Sequence, residues 1–189
     1  MTQAKKRDAA ATQQRILEAA QRVFHEEGYD GATTREIARR AEVNIALITR
    51  YFGSKIGLFE KAVIPFLHIG WLVENGVEGV PERLVDTYMD TPPWRGFDPM
   101  IVFLRSASSV EAGPLLEEAM NRQIVAPLMG ALEGPDARAR AVLLATQIGG
   151  LIVFFRILDQ KTQSPEEADA MRGYLMTYFR DLLNGKTAP

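Results

Sequence analysis

Between Thr33 and Lys55 the chain reads TTREIARRAEVNIALITRYFGSK, and its side chains are of the kinds that hold a polyanion and read its surface. The hydroxyls of Thr34, Thr49 and Tyr51 and the cations Arg35 and Lys55 suit phosphate oxygens. Arg35 also has the two-pronged donor geometry that fits the O6 and N7 edge of guanine. Asn44 opens a stretch in which Ile45, Ala46 and Leu47 are small or apolar, which suits thymine methyl groups and sugar edges. Other chemistries find no comparable support. There is no cysteine, and the two histidines, His25 and His68, lie in no HExxH, GxSxG, phosphate-loop or dinucleotide pattern. Catalysis, a metal site and a cofactor are therefore not expected.

Such side chains act only if helices present them together. Thr33 stands three residues before Glu36, the spacing of a capping box, and predicts a helix over 34–41 that buries Ile37, Ala38 and Ala41. Val43 falls in a turn, and Asn44 is a good N-cap for a second short helix over 45–52. Helical spacing turns Ile48 and Phe52 inward and leaves Asn44, Ile45, Ala46, Leu47, Thr49, Arg50 and Tyr51 outside or at the edge. A helix over 10–27, with Ile16, Ala20, Val23 and Phe24 on one face, precedes this pair and ends at Gly28, Asp30 and Gly31. Ser54 caps a fourth helix that carries Leu58, Phe59 and Ala62 inward. A helix-turn-helix of this form can lay its second helix in a DNA major groove. The same spacing also suits a plain packed corner whose outer apolar residues meet another protein.

No alternating strand pattern persists, and apolar spacings of three and four recur to the C-terminus, so the fold class is all-α. About nine helices are expected. A three-helix helix-turn-helix head over 1–61 precedes a helical ligand-binding and dimerisation body over 62–189. Past Pro65 a helix continues toward Val73, and others cover 82–89, 100–108, 115–132 with a bend at Pro127, 136–159 and 165–184. Residues 91–99 hold three prolines and a glycine and read as a loop. The longest uncharged apolar run, Ala141 to Phe155, is shorter than the roughly 20 residues a bilayer-spanning helix needs. Met1 to Asp8 reads as a mobile basic tail whose Lys5, Lys6 and Arg7 suit a minor groove or plain solvent. With no apolar run behind it, a signal peptide is not expected, and the location is read as cytoplasmic. The net charge of −2 is uneven: residues 1–61 carry +3 and residues 62–189 carry −5, as a phosphate-binding end would need.

Residues 12–61 resemble the DNA-binding head of the tetracycline-repressor (TetR) family of bacterial regulators. The resemblance lies in Thr33-Thr34, Ile37-Ala38, Ala41-Glu42-Val43, the short helix from Asn44 to Arg50, Tyr51-Phe52 and Ser54-Lys55. It implies that Thr34, Arg35, Asn44, Ile45, Ala46, Leu47, Thr49, Tyr51 and Lys55 contact DNA. It further implies a transcription regulator, a repressor binding a palindromic operator as a homodimer and released by a small hydrophobic or aromatic ligand. Two residues depart from the pattern: Glu42 stands where the family usually has Gly, and Thr49 where it commonly has Tyr. If the turn at Glu42 needs a positive φ, it is strained by about 1–2 kcal/mol.

The last two predicted helices offer the dimer surface. Val142, Thr146, Gly149, Val153 and Ile157 line one face of the first, and Met171, Leu175, Tyr178 and Leu182 line one face of the second. Both faces would serve equally as a monomer's core. Aromatic, methionine and polar side chains in the middle of the chain make candidate ligand contacts: Phe66, His68, Trp71, Tyr88, Met89, Trp94, Phe103, Arg105 and Met120. Each also fits ordinary packing. The rival to a DNA-binding regulator is a helical protein-interaction module, which would not need the basic head and would show no salt-steep affinity for DNA.

Overall fold

Residues 3–27 contain no proline or glycine, and they form the continuous rod of α1 (Gln3–Gly31), which kinks at Gly28, in a computed structural model that describes residues 3–90, 96–158, 160 and 162–186. The expected tail from residue 3 onward is thus helical backbone. The rod ends where the sequence says it should. Gly28 adopts φ 67°, ψ −175°, which breaks the helix and swings Tyr29 into the core. Among the described residues every regular element is helical.

The chain sorts into two compact units, one of residues 1–67 with 95–118 and the other of residues 68–94 with 119–189. In the first, α1 packs against α2 (Thr34–Arg40), α4 (Lys55–Ala62) and α7 (Pro99–Ser106), and α3 (Ile45–Phe52) lies between α2 and α4. The core is the expected one: Ile16, Ala20, Val23, Phe24, Ile37, Ala38, Ile48, Leu58, Phe59 and Ala62 are all buried. Phe24, Tyr29 and Phe59 form an aromatic knot, with Phe59 edge-on to both others at 4.9 and 5.2 Å. The helix expected to run from Ser54 to Val73 is interrupted. Pro65 lacks the N–H to continue it, so α4 stops at Ala62 and a 3-10 turn, Ile64–Phe66, follows.

The second unit contains α5 (Gly70–Val73), α6 (Val80–Val85), α9 (Ala126–Ala131), α10 (Ala137–Ile152) and α11 (Pro165–Leu183). Segment α8 (Gly113–Met120) leads into it. Three wider π-helical stretches, 86–90, 121–125 and 153–157, extend α6, join α8 to α9 and extend α10. The middle one lies just before Pro127, whose missing N–H and bulky ring disturb the preceding turn, so the expected bend takes the form of a widened helix. With its extension α10 covers 21 residues, long and apolar enough by composition to cross a membrane, so length alone does not decide its place. One face of it belongs to the core: Ala141, Leu144, Ile148 and Ile152 pack inside the unit and Arg140 is buried with them.

Arg140 was not anticipated. It is 6% exposed, and its guanidinium donates to the carbonyls of Pro135, Leu182 and Leu183 at 3.2, 3.2 and 2.9 Å, and to that of Glu133. It thereby ties the start of α10 to the last turn of α11, where the helix dipole favours a cation.

Candidate nucleic-acid interface

Local hydrogen bonding sets the second short helix at its angle. Thr33 Oγ1 accepts from Glu36 N and opens α2. Asn44 Oδ1 accepts from Ala46 N at 2.9 Å and opens α3, and Ser54 Oγ accepts from Gly57 N and opens α4. The turn between α2 and α3 requires a positive φ, and Glu42 supplies it at 54°, so the strain expected of a residue with a Cβ is present, about 1–2 kcal/mol.

The reciprocal half of the capping box goes elsewhere. The Glu36 carboxylate accepts from Arg39 and Arg40 at 2.7–2.8 Å, and Arg40 also pairs with Glu26 on α1 at 2.7 Å. These bonds, Arg39 first and then Arg40, hold the Glu36 carboxyl down from its ordinary 4.5 to about 2. A depressed folded-state value means the contribution is complete above about 4.5 and is lost as pH falls toward about 2. Melting temperature is therefore expected to fall between these limits in the native chain and to fall less in Glu36→Gln. Equal pH profiles for the two would remove Glu36 from the acid response.

On α3 the side chains divide cleanly. Ile48 is buried and Phe52 half-buried, whereas Asn44, Ile45, Ala46, Thr49 and Arg50 are exposed. Ile45 keeps 45% of its surface in solvent although it is a large apolar residue. Leu47 and Tyr51 sit half-buried at the edges, and Thr34 and exposed Arg35 occupy the first turn of α2.

Lys55 is placed differently from a free phosphate anchor. Its ammonium donates to the carbonyls of Tyr29 and Ala32 at 3.0 and 3.2 Å and lies 4.1 Å from the Tyr29 ring centroid. Two of its three N–H groups thus fasten α4 to the α1–α2 corner. The sequence offered no signal for this, because the partners are backbone carbonyls more than twenty residues away.

A second fastening comes from a segment that the sequence assigns to the body. Arg105 was expected to face a cavity. Instead its guanidinium donates to the carbonyls of His25 and Glu26 at the end of α1. Ser106 Oγ accepts from Tyr29 N at 3.0 Å, and Ser109 Oγ donates to Asp30 Oδ1 at 2.7 Å. Both serines are nearly inaccessible. A Cβ on Gly28 would lie 3.0 Å from the Arg105 carbonyl oxygen. The corner that sets up α2 and α3 is therefore held by α7 and the loop after it.

The other candidate ligand residues are scattered in environment. Phe66 and Trp71 are 48% and 38% exposed, His68 is exposed, and Phe103, Met89 and Met120 are half-buried. Tyr88 is buried under the Arg156 guanidinium, 4.8 Å from its ring, and Arg156 also donates to the Thr87 carbonyl. Trp94 lies outside the described residues. A concavity of about 340 Å³ between the start of α6 and the end of α11 is lined by Val77, Pro81 and Glu82 with Arg180, Leu183 and Asn184, none of them among the expected contacts.

Of the expected dimer residues, Val142, Thr146, Val153 and Tyr178 are exposed on α10, its extension and α11, and Gly149, Ile157, Met171 and Leu182 are half-buried. Leu175 departs from this set. It is 9% exposed and lies on the inner side of α11 with Phe179 and Leu183, while Tyr174, 80% exposed, takes the outer side with Tyr178. One residue of helical rotation separates these two faces.

Residues 16–62 match the family description "Bacterial regulatory proteins, tetR family", and residues 78–183, over half of the chain, match "Tetracyclin repressor-like, C-terminal domain". The chain is 43% identical over 56 residues to "Probable HTH-type transcriptional regulator YttP" of Bacillus subtilis, spanning 30% of this chain and 27% of that protein. It is 33% identical over 102 residues to "HTH-type transcriptional repressor SCO4008" of Streptomyces coelicolor, spanning 49% of this chain and 53% of that one. The matched part is thus a quarter to a half of those relatives' length. In fold the chain is similar to NalD, the secondary repressor of the MexAB-OprM multidrug efflux pump in Pseudomonas aeruginosa, with a TM-score of 0.68 at 16% identity over 93% of this chain and 97% of that one. It is also similar, with a TM-score of 0.52 at 22% identity over 90% and 94%, to the TetR family transcriptional regulator CifR complexed with 26bp double-strand operator DNA.

Proposed function

This chain belongs to the TetR family of bacterial regulatory proteins, and on that premise we propose that it is a cytoplasmic, non-enzymatic repressor that binds a palindromic operator as a homodimer and leaves it when a small hydrophobic or aromatic effector binds. One observation carries the reading: α3 and its cap leave Asn44, Ile45, Ala46, Thr49 and Arg50 exposed, although two of the five are apolar, while Ile48 is buried against the head. Solvent gives no reason for that arrangement, and the floor of a major groove does. Thr34 and Arg35 on α2, and Leu47 and Tyr51 at the flanks, complete the proposed contacts, with the remaining N–H of Lys55 available to a phosphate.

An eight-residue helix is about 12 Å long and touches few base pairs, so a second copy is needed for useful specificity. The outward face of Val142, Thr146 and Val153 with Tyr174 and Tyr178 is the proposed meeting surface. The division into a DNA-binding part, 1–61, and a ligand-binding and dimerisation part, 62–189, is kept as a functional one, with α7 bracing the former. An effector with unequal affinity for two states of the body would act on the operator by shifting that brace.

The test is selection of bound duplexes from a random pool by the full chain. A palindromic consensus is expected, with half-sites one helical turn or a multiple apart, and with an affinity that falls steeply as salt rises. Absence of any symmetric consensus would overturn the proposal.

A further inference from the structure

The helix-turn-helix stretch from Thr33 to Lys55 carries five cations, and the structure sorts them. Arg39 and Arg40 are bound to Glu36 and Glu26, and Lys55 is bound to the carbonyls of Tyr29 and Ala32. Arg35 and Arg50 alone in this stretch are exposed with no hydrogen bond or ion pair from the described residues. Arg35 already has a named target in the proposed contact set, and Arg50 stands on the presented face without one.

The position of Arg50 is specific. At about 100° per residue it stands on the side of α3 opposite the mean direction of Ile48 and Phe52, the two side chains that hold the helix to the head. It is thus the outermost residue of the presented face. Side chains on a helix lean toward its N-terminus, so the Arg50 stem runs back over Ala46, one turn earlier. Alanine at 46 leaves that path open, and the path leads toward the end of α3 whose residues face base edges, away from the C-terminal end where a helix leaves the groove. A guanidinium delivered there, over the small Ala46 and with no carboxylate to neutralise it, has the geometry for two parallel hydrogen bonds to guanine O6 and N7.

We propose that Arg50 reads one guanine in each half-site and is a specificity-determining residue of the operator contact. This rests on the DNA-reading function proposed above. The experiment compares bound-sequence selection from a random duplex pool by the native full chain, Arg50→Ala and Arg50→Lys, with thermal melts confirming that all three fold. The native chain should enrich a guanine at one symmetric position. Arg50→Ala should lose preference at that position alone, with affinity for the guanine-bearing operator down about ten- to a hundredfold per half-site and the salt slope little changed. Arg50→Lys, which keeps the charge but not the planar fork, should keep a weakened preference for the same guanine. An unchanged consensus in Arg50→Ala, or equal weakening on every duplex with a shallower salt slope, would overturn the inference while leaving DNA reading intact. If the native chain enriches no symmetric sequence, DNA reading itself fails and the inference fails with it.

Discussion

Gly28→Ala is expected to destabilise the first unit by about 4 kcal/mol, combining backbone strain of about 1–3 kcal/mol with an overpacking cost of similar size. The residue sits at φ 67°, ψ −175°, a combination that side-chain-bearing residues essentially do not adopt. The new methyl would also meet the Arg105 carbonyl oxygen at 3.0 Å and the Arg105 Cβ at 3.3 Å, and the first of these is backbone that cannot swing aside. Relief would have to come from lifting α7 off α1, which would strain the bond from Tyr29 N to Ser106. Gly53 is the internal control. Its φ is 77°, also positive, but nothing lies within 4 Å of its would-be Cβ, so its alanine variant should show the strain without the clash. Urea unfolding of the two variants checks the difference. Equal losses would mean that the contact with Arg105 yields easily and that the fastening of α7 to α1 is not a tight one.

Arg140→Met is expected to cost the second unit about 3 kcal/mol, because four carbonyl oxygens lose their shared donor in a buried setting. The methionine fills much of the volume, so the loss reports hydrogen bonding and charge more than a cavity. Arg140→Lys should fall between the two, since an ammonium has three donors and no fork. The same substitution should weaken self-association, because Arg140 fixes the start of α10 against the end of α11 and those helices carry the proposed meeting surface. Urea unfolding and concentration-dependent gel filtration measure the two effects. A stability change below about 1 kcal/mol would mean that water replaces the guanidinium without cost.

Legibility from the sequence followed the range of the interactions. The caps at Thr33, Asn44 and Ser54 and the end of α1 at Gly28 were readable because a cap and its partner lie within three residues of one another. The inward residues of α1 to α4 were readable because helical period alone sorts Ile16 from its neighbours. Glu42 was readable as a site of strain because the resemblance places it where the family usually has glycine, the residue that a positive φ favours. What escaped were long-range bonds to backbone. Nothing in the types of Lys55, Arg105, Ser106 or Arg140 marks them as donors or acceptors to carbonyl or amide groups tens of residues away, and arginine in the middle of a chain invites a functional reading as readily as a structural one. Leu175 was misplaced for a different reason. A helix with Tyr174, Leu175, Tyr178 and Phe179 offers two apolar faces, and composition does not say which one the protein keeps for itself. The stacking of Arg156, within the π-helical extension of α10, on Tyr88 was missed because widened turns shift the helical phase that such counting relies on.

The bracing of the α1–α2 corner by residues 105–109 has a consequence for anyone who would build chimeric regulators from this chain. Grafting residues 1–61 onto a foreign body would carry off the carbonyls of His25 and Glu26 and the amide of Tyr29 while leaving behind the arginine and serine that satisfy them. The exchangeable cassette is discontinuous: a donor's first four helices travel well only with the donor's own stretch from Asp98 to Glu118, and a splice that ignores this trades a sound reader for a frayed one.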